Sequence, residues 1–191
     1  ELAVGQIVHD VDQRPIGMGI QLAAESPDLV DALMMYSPNI AIADPSAQLL
    51  TMPWGAEIGR AVIGERRTIT EIKDKPAGQF TTEVYRLEGL IALQALLDQT
   101  MTDENFGQIT QPYLIAYYYK NEEEQDPIVS VPAMLDFDAK TSTVKEMTRV
   151  VALPDVGNHV MTSSIYSKDL ESVAKVSQEF AEAVLGMEKK Q

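Results

Sequence analysis

The chain has no cysteine, so disulfides, thiolate metal sites and cysteine nucleophiles are excluded together. Only two histidines are present, His9 and His159, with no His-Glu-x-x-His pattern, which argues against a zinc site. Positive charge is scarce: 15 Lys and Arg stand against 29 Asp and Glu, for a net charge of −14. Such a surface repels nucleic-acid backbones and anionic membranes and favours solubility. No apolar run approaches the about 20 residues that span a bilayer, and Glu1-Leu2-Ala3-Val4-Gly5 is no signal peptide. The first residue is Glu rather than Met, which points to a fragment, a processed product or an incomplete piece of a longer protein, and the compartment stays open.

What is present suffices for a core. At 191 residues, 45% hydrophobic and 23% charged, the composition is ordinary globular usage. A chain of this size buries about 70% of its unfolded surface. No internal repeat or low-complexity tract appears.

Three short, nearly continuous apolar runs suit strands buried on both faces, as in a parallel sheet covered by helices: Leu29 to Tyr36, Tyr113 to Tyr119 and Arg149 to Leu153. A helix is predicted around Val131 to Phe137, making a strand–helix–strand unit with a right-handed crossover. The clearest helix is the last. Leu170, Val173, Ala174, Ser177, Phe180, Ala181, Val184 and Leu185 recur at helical spacing, with Ser167 as N-cap, Asp169 and Glu171 in the first turn and Gly186 at the end. Residues 44–110 break the rhythm and read as a helical insertion: Met52-Pro53-Trp54-Gly55, a polar stretch from Glu65 to Thr82, then a helical pattern from Leu87 to Met101. Insertions over strand ends commonly shape a site or act as lids.

Two residues stand where chemistry gathers in parallel sheets, just after a strand. Asp126, in Gln125-Asp126-Pro127-Ile128-Val129, reads either as a catalytic acid or as a loop acid capping a helix that starts at Pro127. His159, in Gly157-Asn158-His159-Val160, reads either as a general base oriented by an acid or as a surface histidine. His9 reads as surface, Glu122 to Glu124 as a solvated charge run, and Trp54 and Tyr117 to Tyr119 as packing rather than a stacking platform. Ser163 and Ser164 read as polar residues leading into the last helix.

Leu22-Ala23-Ala24-Glu25-Ser26-Pro27-Asp28, the run into Tyr36-Ser37-Pro38-Asn39, the Tyr-rich strand into Gln125-Asp126, and Leu153-Pro154 through Gly157-Asn158-His159 together resemble the second half of an α/β-hydrolase. The likeness is to the esterase, lipase and lysophospholipase branch. It implies an α/β fold, a mostly parallel sheet incomplete at its N-terminal side, with residues 1–43 and 111–191 forming the core and 44–110 a helical cap. It further implies Asp126 as triad acid, His159 as triad base, an ester substrate that carries an acyl chain, and no cofactor or metal. The nucleophile departs from the pattern. A Gly-x-Ser-x-Gly elbow is expected before the helix containing Leu22 to Glu25, whereas Gly17-Met18-Gly19 resembles a shortened elbow without its serine. Ser37, after a strand, reads as a turn residue or a substitute nucleophile.

Three readings follow: a serine hydrolase of carboxylic esters whose nucleophile-bearing piece is not in this chain, a hydrolase-like protein that binds a ligand or partner without catalysis, or a sheet completed by a further N-terminal segment or a homo-oligomer that covers its open edge.

Overall fold

The computed structural model describes residues 15–68 and 84–188. In chain order these form α1 (Pro15–Glu25), β1 (Leu33–Tyr36), α2 (Gly55–Val62), β2 (Arg66–Thr68), β3 (Val84–Arg86), α3 (Leu87–Thr100), α4 (Asp103–Gln108), β4 (Tyr113–Tyr117), α5 (Val131–Lys140), β5 (Thr148–Ala152) and α6 (Leu170–Ala183), with short 3-10 turns between some of them.

The three predicted apolar runs pair as one parallel sheet in the order β1-β4-β5. Its register sets Leu33 opposite Tyr113 and Tyr113 opposite Thr148, so all three strands point their carboxyl ends the same way. Central β4 is buried at every position, as its unbroken apolar sequence requires. Its two-residue period divides the core. Tyr113, Ile115 and Tyr117 face one side with Ile20 and Ala23 of α1, Phe106 of α4 and Met134 and Phe137 of α5, whereas Ala116 faces the other with Leu153, Val156, Met161 and Val173 of α6. Phe137 anchors the first side, its ring 4.9 Å from that of Phe106 and 5.6 Å from that of Tyr113.

Helix ends follow from small polar caps. Ser130 accepts the Ala133 N–H to open α5, and Asp169 accepts the Ser172 N–H at 3.0 Å to open α6. The N-cap of α6 is therefore Asp169 rather than Ser167. Gly186, at φ 65°, ends that segment, and the Met187 N–H bonds back to the Ala181 carbonyl.

Between β1 and β4 lie a 3-10 turn (Pro45–Thr51), α2, the β2–β3 hairpin and helices α3 and α4. Gly55 lies so close to the preceding turn that a Cβ there would sit 2.1 Å from the Leu49 carbonyl oxygen. This tight corner throws Trp54 outward at φ 65°, where it is 76% exposed. The expectation that Trp54 packs is thus overturned. With the corner committed to the backbone, the indole has no interior to enter.

Candidate active site

Beyond β4 the chain turns back on itself. Asn121 Oδ1 accepts the Glu123 and Glu124 N–H groups at 2.9 Å each, and the Lys120 N–H bonds to the Glu124 carbonyl. The three glutamates project into solvent. This small loop returns the chain beneath the strand end, where the Asp126 N–H bonds to the Tyr118 carbonyl at 3.0 Å. Asp126 is 3% exposed. Its Oδ1 accepts the Ile128 N–H at 2.9 Å and the Val129 N–H at 3.1 Å, a turn that fixes the carboxylate plane. It caps this turn and not α5, whose cap is Ser130, so Pro127 is not a first helical residue.

A second lacing holds the same loop from the other side. The segment after β1 donates the Ala43 N–H to the Ile128 carbonyl and receives the Ser130 N–H on the Ala41 carbonyl, at 2.9 and 2.8 Å. Between β1 and this lacing lie Ser37, at φ 46° and fully buried, and Asn39, 3% exposed.

His159 arrives from β5. The Leu153 N–H bonds to the Tyr117 carbonyl, continuing the ladder past the strand end, and the Lys168 N–H closes the loop on the Val156 carbonyl. Gly157 turns at φ 63° with the Lys168 side chain against it, so a Cβ would lie 3.2 Å from Lys168 Cδ. Asn158 Oδ1 accepts the Val160 N–H at 2.9 Å, and buried Met161 roots the loop in the core. The ring so held sets Nδ1 2.8 Å from Asp126 Oδ2. Its side chain is 17% exposed against 0% for the acid, so His159 is not a freely solvated surface residue.

The electrostatics follow from this geometry. Burial by itself pushes the Asp126 carboxyl up, but the hydrogen bond and charge of His159, the Ile128 N–H and the Ser37 side chain outweigh it and hold its pKa below the ordinary 3.8. The acid is thus an anion at neutral pH, able only to accept. Against such an acceptor Nδ1 carries the ring proton, which leaves Nε2 as the nitrogen not engaged by the acid.

Of the residues picked out by sequence, Asp126 and His159 come together. Ser37 does not offer a nucleophile: its hydroxyl is sealed from solvent. Ser163 shapes a turn before α6, its Oγ accepting the Ile165 N–H. Gly17-Met18-Gly19 falls inside α1 rather than on a turn before it. His9 and residues 11–14 of the expected elbow lie outside the described residues. Among the described residues no cluster of three acidic or histidine side chains could hold a metal ion, and no helix is long and apolar enough to cross a membrane.

No protein-family model and no curated protein sequence matches the chain. Solved structures do. It resembles the metagenome-derived lipolytic enzymes LipS and LipT (TM-score 0.60, 13% identity), with 86% of this chain covering 60% of that one. It resembles a soluble variant of the monoglyceride lipase of Saccharomyces cerevisiae, in complex with a substrate analogue (TM-score 0.58, 10% identity, 87% of this chain and 61% of that one). It also resembles Est1E from Butyrivibrio proteoclasticus (TM-score 0.53, 17% identity, 90% and 58%). The chain spans about 60% of the length of these neighbours. With its parallel β1-β4-β5 sheet between helical layers, it carries part of an α/β-hydrolase fold.

Proposed function

We propose that this chain supplies the acid and the base of a serine hydrolase acting on carboxylic esters. The observation that carries the reading is the 2.8 Å contact between a buried carboxylate and a partly exposed imidazole, each just beyond the carboxyl end of one of two adjacent parallel strands. Ligands and catalytic groups gather at that edge of such sheets. In the reading, His159 Nε2 takes the proton of a serine hydroxyl as its oxygen bonds to the acyl carbon, and Asp126 stabilises the imidazolium through Nδ1–H. The same proton then passes to the departing alcohol oxygen as the ester bond breaks, and water repeats the cycle on the acyl intermediate. The serine itself is not assigned to any residue of this chain. Residues 44–110 form a cap in this reading, and the apolar side chains exposed on it, Leu49, Met52, Trp54, Ile58 and Val62, suit contact with an acyl chain.

The absence of a serine from Gly17-Met18-Gly19 favours a second reading, a hydrolase-like protein that binds a ligand or partner without turnover. A fluorophosphonate probe separates the two, together with hydrolysis of a short-chain p-nitrophenyl ester. In the native protein that carries the serine-bearing segment, the first reading expects labelling at that serine and ester turnover, both lost in His159→Ala. Turnover untouched by His159→Ala refutes it, and absence of both signals in that native protein supports the second.

A further inference from the structure

Helix α2 sits on the protein by the opposite side from the one its sequence predicts. Trp54, Ile58, Ala61 and Val62 recur at helical spacing and form one apolar stripe, which in a surface helix normally faces the core. Here the glycine face is buried instead. Gly55 and Gly59 are the buried residues of α2, and a Cβ at Gly59 would lie 3.0 Å from Leu50 Cδ2 and 3.3 Å from Leu87 Cδ1, so their small size is what seats the helix. The stripe is left outside: Val62 is 79% exposed and Ile58 53%, with Met52 and Trp54 exposed beside them.

The backbone holds the indole there. Trp54 turns at φ 65°, a conformation that is costly for any residue with a Cβ and rare for a bulky one, yet its largest effect in the free chain is to present an aromatic ring to water. Charge then says what the stripe can meet. Residues 45–64 carry one acid, Glu57, and one base, Arg60, so this segment is neutral in a chain whose net charge is −14. The rest of the molecule repels an anionic surface, and the stripe offers a charged partner no complement. A zwitterionic lipid surface fits both facts, because it takes in apolar side chains, places a tryptophan at the level of its headgroups and leaves the acidic remainder in water.

We infer that α2 and the corner before it dock the protein on a zwitterionic lipid surface, with Met52, Trp54, Ile58 and Val62 entering it. The inference deepens the ester-hydrolase reading and rests on it for the substrate alone, acyl esters drawn from that surface. The docking itself is measured without turnover.

Trp54 is the one tryptophan of the sequence, so its fluorescence reads the contact directly. The whole chain is titrated with vesicles of phosphatidylcholine and with vesicles of phosphatidylcholine mixed with phosphatidylserine. On phosphatidylcholine the emission is expected to shift to the blue and to be quenched by lipids brominated on their acyl chains, and phosphatidylserine is expected to weaken the binding. Replacing both Ile58→Ser and Val62→Ser should weaken it by about tenfold or more, since full burial of each such side chain is worth at least that factor; Ile58→Leu with Val62→Leu should keep it. Emission unmoved by phosphatidylcholine, binding unchanged in the serine variant, or stronger binding to the mixed vesicles overturns the inference. So does emission already blue and shielded without lipid, which assigns the stripe to the chain itself if light scattering finds a monomer and to a second copy if it finds a dimer. Fluorophosphonate labelling and ester turnover report on the underlying reading separately: their absence beside intact vesicle binding removes the substrate and leaves the docking, and loss of vesicle binding beside intact turnover does the reverse.

Discussion

Replacing Asp126 by asparagine changes one atom of the site and reverses its proton logic. The amide oxygen can stay where Oδ1 is, keeping the Ile128 and Val129 N–H bonds, so the turn survives. The amide nitrogen then faces His159 Nδ1 across 2.8 Å, donor against donor. The cheapest escape moves the ring proton to Nε2, so that Nδ1 accepts and the outward nitrogen is no longer a base. A hydrogen bond to a charged group, about 1.5–3 kcal/mol, is exchanged for a neutral one of about 0.5–1.5 kcal/mol, a net loss of about 1–2 kcal/mol. Asp126→Ala is worse by about another 1–3 kcal/mol, because it strands the N–H of fully buried Val129. If the pair serves ester hydrolysis, the wrong tautomer lowers kcat by about 10⁴, or about 5 kcal/mol of transition-state stabilisation. Nitrogen-15 NMR of the neutral imidazole identifies the protonated nitrogen directly, and urea unfolding gives the two stability differences. Nδ1 still protonated in Asp126→Asn, or Ala no less stable than Asn, refutes the reasoning.

Three further outcomes follow from other parts of the fold. Because the folded Asp126 pKa lies below 3.8, the unfolded chain binds its proton more readily, and the acid's stabilisation is complete above that pH and lost as pH falls below it. The stability difference in urea between the unaltered protein and Asp126→Asn should therefore begin to shrink as pH falls below about 4 and go on shrinking as pH falls further; a difference that stays flat from about pH 5 to about pH 3 counts against the assignment. Phe137→Ala, which empties the space between Phe106 and Tyr113, should cost about 3–5 kcal/mol in denaturant unfolding. Gly157→Ala, at φ 63° against Lys168, should cost about 1–2 kcal/mol and shift the His159 resonances, whereas Gly19→Ala, with open space around it, should leave them alone.

Strand and helix types were legible where burial is two-sided or periodic. Tyr113 to Tyr119 reads as a strand because every residue of β4 must tolerate an interior, and α6 shows its spacing because only one stripe of it is covered. Lengths were harder. Leu29 to Tyr36 looks like eight strand residues, but Pro27–Leu29 winds into a 3-10 turn and pairing begins only where Leu33 meets Tyr113. The β2–β3 hairpin escaped notice because its strands are three residues each and set Arg66 opposite Arg86, with no apolar alternation to mark them. Asp126 and His159 could be located from their positions after strands. That they sit 2.8 Å apart depends on the Lys120–Gln125 loop and the Gly157 turn, which bend two sequence-distant segments toward one point. Ser37 and Asn39 gave no more signal than any turn. Their burial arises from backbone bonds to residues about 90 positions later, a pairing that local patterns do not encode.

That lacing has a mechanical side. Ala41 and Ala43 form the root from which residues 44–110 depart, and their hydrogen bonds end on Ile128 and Ser130, one of which also holds the Asp126 carboxylate through its N–H. Root and acid are thus two arms of one bracket. A shift of the segment at Ala43 would therefore meet, in Ile128, the same residue whose N–H holds the carboxylate beside the imidazole.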